Sequence, residues 1–304
     1  MFLTLNRLIK WLIIFLIIEI LFLSISSFFE IKERDDRPLY YYKLAIFKPP
    51  SRPKYSVQYT DYSTTKKINN PFRVITLRDE EDVLSILNEK VEPICYTNTI
   101  PLDKLSILKK KETFINMMIP SILLAKYKMR MEQKKVLRLS KAKYLSSEDD
   151  LWLKNKIEEF KVENHQELYK NMELHPTSVI IAQAIVESGW GTSKFFKNAN
   201  NVFGIWSFSK EDKRIVASEK RGKNAVYLKK YSSIHESIYD YLLIIANVSH
   251  YKKFREKRLK TKNPFTLIQY LDKYSERGNE YIRDIKNIIK SNKLTKYDSY
   301  KLNL

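Results

Sequence analysis

The sequence predicts a mainly α-helical protein with a small β-hairpin lobe, preceded by an N-terminal transmembrane helix. Three observations carry this. Only five glycines occur in 304 residues, at 189, 191, 204, 222 and 278, and long lysine-rich stretches repeat with helical period. Residues 205–230 alternate instead of repeating at 3.6, with Gly222 near a turn, which predicts a hairpin. Residues 11–29 are almost continuously apolar, broken only by Glu19, a length close to the ~20 residues that cross a bilayer.

Arg7 and Lys10 precede that apolar run and mixed charges follow it from Glu30 to Arg37, which favours an internal N-terminus. A retained signal anchor over residues 1–30 is the expectation. A cleavable signal peptide competes through Ser24-Ile25-Ser26, and a buried soluble helix is the third alternative. In either membrane case the rest of the chain is exported. Residues 31–100 form a tether and a small N-terminal segment. Five prolines lie between 38 and 71, as in an extended arm. Phe72–Leu77 reads as a short strand and Asp79 as the cap of a helix over 80–90.

From Leu105 the period is helical. One helix is expected to end near Met118, and Pro120 to start a second that reaches about Leu145. Ser147 with Glu148, Asp149 and Asp150 opens an amphipathic helix through Phe160. Pro176 suits the first turn of the next helix. Val179–Val186 is apolar almost all round, so that helix should be buried. Glu187 stands on its last turn, Gly189 follows where a left-handed residue ends a helix, and Ile180, Gln183 and Glu187 share a face. Burial and the negative end of the helix dipole both disfavour the ionised carboxylate. A carboxyl kept protonated near neutral pH is suited to general-acid work, as in glycoside hydrolysis. The alternative on position alone is an exposed glutamate paired with a lysine such as Lys194.

Helix 233–248 presents Ile234, Ile238, Tyr241, Leu242 and Ile245 as one stripe. Two further helices, Pro264–Ser275 and Asn279–Ser291, complete a domain spanning 101–292, and 293–304 is expected to be a polar, frayed tail.

AQAIVESGWGTSKF followed by NANNVFGIW resembles the signature of the glucosaminidase family of peptidoglycan hydrolases. YSSIHESIYDYLLIIANVSHY (231–251) and YLDKYSERGNEYIRDIKNIIK (270–290) match it too, the latter being most similar to the Bax-like branch. The resemblance implies a lysozyme-like helical domain that cleaves the β-1,4 bond on the reducing side of N-acetylglucosamine. It makes Glu187 the catalytic acid. It favours Glu219 on the hairpin for the second catalytic role, with Glu211 and Asp212 as rivals and a solvated hairpin charge as the alternative. Inverting chemistry would separate the two carboxyls by ~6.5–9.5 Å. Tyr251 falls where the family lines its active site with a tyrosine, and a buried aromatic with a tethered hydroxyl is the strong alternative among 20 tyrosines. Gln183, Trp190, Asn201, Phe203 and Gly204 are the cleft-lining candidates. For Trp190 and Phe203, packing is the stronger expectation.

The formal net charge is +20, which suits a polyanion or simply a solvated lysine-rich surface. No helix-turn-helix, zinc-finger or RNP pattern accompanies it, so nucleic acid is not the expected partner. The four histidines are scattered and Cys95 is alone, so no metal, cofactor or intramolecular disulfide is expected. The expected partners are peptidoglycan glycan strands and, through the N-terminal helix, the inner membrane. The enzyme would then work in the periplasm. A lytic transglycosylase forming 1,6-anhydro products and a non-catalytic envelope-binding protein are the rivals.

Overall fold

The computed structural model describes residues 72–304, apart from Gly222 and Lys223 and the side chains of 218–225. The apolar run 11–29 and the proline-rich stretch 38–71 lie outside the described residues. Among the described residues, no helix is long and apolar enough to cross a membrane.

The architecture is mainly helical. Strand β1 (Arg73–Ile75) pairs in parallel with β3 (Ile94–Tyr96), placing Val74 opposite Cys95, and β2 (Lys90–Val91) lies between them in sequence. The helix expected over 80–90 is a single 3-10 turn, Glu80–Asp82. Its continuation is lost because backbone donors go elsewhere. Leu84 N–H donates to the Tyr96 hydroxyl and Ile86 N–H to Asn116 Oδ1.

Helix α1 (Ile107–Ser140) runs straight through Pro120, where two helices were expected. An interior proline costs ~3 kcal/mol or more. Here Met117, Met118, Ile119 and Ile122 are fully buried around it, and each buried side chain contributes ~1.5–3 kcal/mol, so packing wins. The Ser121 hydroxyl donates to the Met117 carbonyl at 2.8 Å. Helix α2 (Ser147–Glu159) is capped by Ser146, one residue earlier than expected, and α3 (His165–Asn171), capped by Asn164, carried no sequence expectation.

Helix α4 (Thr177–Ser188) is buried on nearly all sides and packs against α1. Pro176 occupies the cap position itself, and the capping hydrogen bonds come from the far end of the chain. Asp298 accepts from Ser178 N–H at 2.7 Å and from the Ser178 hydroxyl at 2.8 Å, setting a carboxylate at the positive end of the helix dipole. The segment 293–304 is therefore not a frayed tail. Leu294 and Tyr297 are buried, and β6 (Lys301–Leu302) pairs in parallel with β2.

Helix α5 (Lys194–Ala199) follows, then the expected hairpin of β4 (Arg214–Arg221) and antiparallel β5 (Asn224–Lys229), with a bulge between Val216 and Lys220. Helix α6 (Ile234–Asn247) buries all five residues of its predicted stripe and lies along α1. Short α7 (Lys252–Arg258) and α8 (Pro264–Leu267) lead into a 3-10 turn at Ile268–Tyr270, in place of the longer helix expected to Ser275. Helix α9 (Asn279–Ser291) buries Tyr281, Ile282, Ile285 and Ile289 against α4 and the 294–298 turn.

Candidate active site

The site begins at the C-terminal end of α4. Gly189 ends the helix at φ 58°, and Trp190 (φ 58°) and Gly191 (φ 78°) continue in left-handed backbone. Three such residues in a row follow Glu187 and Ser188. A side chain at Gly191 would meet Leu102, Phe114 and Phe196 at 2.9–3.0 Å, so close packing as well as the backbone angle requires glycine there. The Ser188 hydroxyl donates to the Ala184 carbonyl and accepts from Gly191 N–H. Trp190 accepts a conformation that costs a non-glycine residue ~1–2 kcal/mol. Its ring meets Phe114 edge-on at 5.7 Å and lies under the Lys111 ammonium at 5.0 Å. Trp190 thus joins α1 to the turn, the packing role expected of it.

Glu187 is only 5% exposed. Its Oε1 accepts from the Tyr281 hydroxyl at 2.9 Å, and its buried Oε2 has no hydrogen-bond partner. Burial holds the carboxyl well above the usual carboxylate range, against the smaller opposing pulls of the Tyr281 hydrogen bond and the Arg277 charge. The alternative of an exposed helix-end glutamate is excluded by this placement.

Tyrosines build the wall around it. Tyr274 stacks on Tyr281 at 5.5 Å and lies 6.0 Å from Tyr251 and 6.3 Å from Tyr241. Tyr251 is buried, and its hydroxyl is pushed above the ordinary tyrosine value by burial first and by Glu187 second. Phe203 is a core aromatic, stacked on Tyr241 at 4.2 Å.

Several cleft candidates turn out to support the site from behind. Gln183 is fully buried, with its amide accepting from Tyr241 and donating to Tyr281. Asn201 is also buried, and its side chain donates to the Ile205 and Lys229 carbonyls while accepting from Ile205 N–H. Gln183, Asn201 and Phe203 are each enclosed and engaged by protein, for Phe203 the packing that was the stronger expectation. Gly204 is half-buried at φ 63°.

The hairpin is pinned at its base. Lys229 Nζ lies 2.5 Å from Asp240 Oδ2, the Tyr231 hydroxyl donates to the same oxygen at 2.8 Å, and both charged groups are buried. Asn200 donates to the Thr97 and Tyr231 carbonyls. Glu219 belongs to β4, but its side chain lies outside the described residues. Of its rivals, Glu211 is exposed and Asp212 accepts from the Ser207 hydroxyl at 2.9 Å.

The family model for glucosaminidases, described as mannosyl-glycoprotein endo-beta-N-acetylglucosaminidase, matches residues 162–294. Protein bax of Escherichia coli K12 is 30% identical over 120 residues, which are 38% of this chain and 42% of that protein. Residues 162–294 are thus similar to the glucosaminidase family, and part of the chain to its relative Protein bax. It spans less than half the length of this curated relative. Among solved structures, the catalytic domain of the autolysin Auto from Listeria monocytogenes is 24% identical at a TM-score of 0.36, over 55% of this chain and 97% of that one. The glycoside hydrolase domain of Salmonella typhimurium FlgJ is 21% identical at a TM-score of 0.32, over 50% and 91%. The matched glucosaminidase range holds Glu187, Tyr251, Tyr274 and Tyr281. Helix α1, which supports Trp190 through Phe114 and Lys111, lies before it.

His175, Tyr241, Tyr274 and Tyr281 carried no sequence-based site assignment. With 20 tyrosines in the chain, composition singles none of them out. The available signal was position, since Tyr274 and Tyr281 fall inside the 270–290 block that resembles the family.

Proposed function

We propose that the protein is a peptidoglycan hydrolase that cleaves the β-1,4 bond on the reducing side of N-acetylglucosamine, with Glu187 as general acid. The observation that supports this most strongly is a buried carboxyl at a helix end, held on one oxygen and without a protein partner on the other, whose pKa burial raises well above the usual carboxylate range. Such a group gives its proton to the departing glycosidic oxygen at the moment when negative charge develops there. Glu219 on the hairpin would assist the attacking water, or the substrate's acetamido group would supply the internal nucleophile. Tyr251 borders the acid and would steady the oxocarbenium-like state, while Trp190 and Gly204 would shape the cleft.

We further assign the apolar run 11–29 to an inner-membrane anchor that holds the domain in the periplasm. The high positive charge suits an anionic envelope.

Mass spectrometry of purified peptidoglycan digested with residues 31–304 tests the bond assigned. The expected fragments end in reducing N-acetylglucosamine. Anhydro-muramyl products would make the enzyme a lytic transglycosylase, and binding to sacculi without any fragments would make it a wall-binding protein.

A further inference from the structure

A line of buried side chains leads to Glu187 from the opposite side of the core. His175 Nε2 lies 3.0 Å from the Tyr241 hydroxyl, which donates to Gln183 Oε1 at 2.6 Å. Gln183 Nε2 donates to the Tyr281 hydroxyl at 3.1 Å, and that hydroxyl donates to Glu187 Oε1 at 2.9 Å. The five residues come from the loop before α4, from α6, twice from α4, and from α9. All five are buried.

Each hydroxyl in this line has one proton to give, and the amide offers one donor end and one acceptor end. The line therefore has a direction. Run in reverse, it would require Glu187 to give its proton to Tyr281, and it would leave an ionised Glu187 with no donor at Oε1. Run as found, it leaves the acidic proton on Oε2 and keeps an O–H on Oε1 to receive the charge once that proton departs. This direction requires His175 to donate from Nε2. Its Nδ1 has no hydrogen-bond partner, which fits an imidazole protonated at Nε2 alone. Burial, with the Arg258, Lys126 and Lys262 charges, holds the ring neutral.

We propose that His175, Tyr241, Gln183 and Tyr281 form a one-way hydrogen-bond chain that positions Glu187, fixing Oε1 as an acceptor and the transferable proton on Oε2. The proposal rests on Glu187 being the acid. The groups facing Glu187 are Tyr281 from α9, Arg277 from the loop before it, Tyr251 from the turn after α6, and Tyr241 from α6. Arg277 is itself engaged by Asp284 and Glu280.

The test is a titration of Glu187 by carbon NMR in glutamate-labelled protein, assigned with Glu187→Gln, alongside the pH profile of kcat/KM. Removing the donor in Tyr281→Phe should raise the Glu187 pKa by about one unit, the size of one hydrogen bond to a charged group. The alkaline limb of the rate profile should move up with it, and kcat should fall ~10-fold at unchanged KM. Gln183→Met should move the titration the same way. His175→Phe should follow Gln183→Met, whereas His175→Gln, which keeps a donor, should stay near wild type.

A Glu187 titration unchanged in folded Tyr281→Phe and Gln183→Met proteins would overturn the proposal. If Tyr281→Phe fails to fold, Gln183→Met and the His175 pair decide the question. If Glu187→Gln keeps full activity, the assignment of the acid fails, and the titration still reports on the chain.

Discussion

Glu187→Gln should lower kcat by roughly 10²–10⁴-fold, the contribution typical of a positioned general acid, without loss of fold. The amide keeps the size of the carboxyl, and its oxygen still accepts from Tyr281, so the helix end and the tyrosine wall should stay in place. The same variant should also be the more stable protein at neutral and higher pH. The folded carboxyl has a pKa well above its ordinary value of 4.5, chiefly through burial. Its contribution to stability is fully present below pH 4.5 and is lost as pH rises through the folded pKa, because the folded state resists ionisation more than the unfolded chain does. A glutamine has no proton to lose there. Urea midpoints of both proteins at pH 4, 6 and 8 should diverge in favour of the variant as pH rises. Equal midpoints at every pH would mean that the carboxyl is not held in a disfavoured state.

Asp240→Asn should produce the largest loss of stability, about 3 kcal/mol or more, because it strands the Lys229 ammonium in the interior. Breaking one side of a buried ion pair typically costs ~3–5 kcal/mol, a large part of the ~5–15 kcal/mol that holds a domain together. The pair also joins the return strand of the hairpin to α6, so the loss should appear in activity as well as in the denaturation midpoint. A combined Lys229→Met and Asp240→Leu variant should recover most of the stability, since an apolar pair of similar volume removes the stranded charge. A stability loss below about 1 kcal/mol in Asp240→Asn would show the pair to be solvated in solution, as surface pairs are.

What the sequence made legible was local. The nearly apolar run ending at Glu187, the glycine after it, the stripe of α6 and the alternation of the hairpin each depend on neighbours a few residues apart, and all appear where expected. The departures have a common cause in distant contacts. Pro120 was expected to divide a helix, but tertiary burial around it outweighs its local cost. The last twelve residues look polar and free, yet Asp298 caps a helix through Ser178, 120 positions earlier. Gln183 looked like a polar residue at a cleft because it shares a face with Glu187. What fills that face is Tyr281, 98 positions away, and no local pattern announces it. The buried glutamate at the helix end was therefore visible in the sequence, while the groups that hold it were not.

The role proposed for Glu187 is that of a buried, protonated acid. Its most direct test is the pH dependence of kcat/KM on soluble peptidoglycan fragments, for wild type beside Glu187→Gln. Wild-type activity should persist as pH rises through 4.5 and fall only at a distinctly higher pH, as Glu187 loses its proton. The residual activity of the glutamine variant should lack this alkaline limb. A limb at the same pH in both proteins, or a wild-type rate that collapses as pH rises through 4.5, would contradict that role.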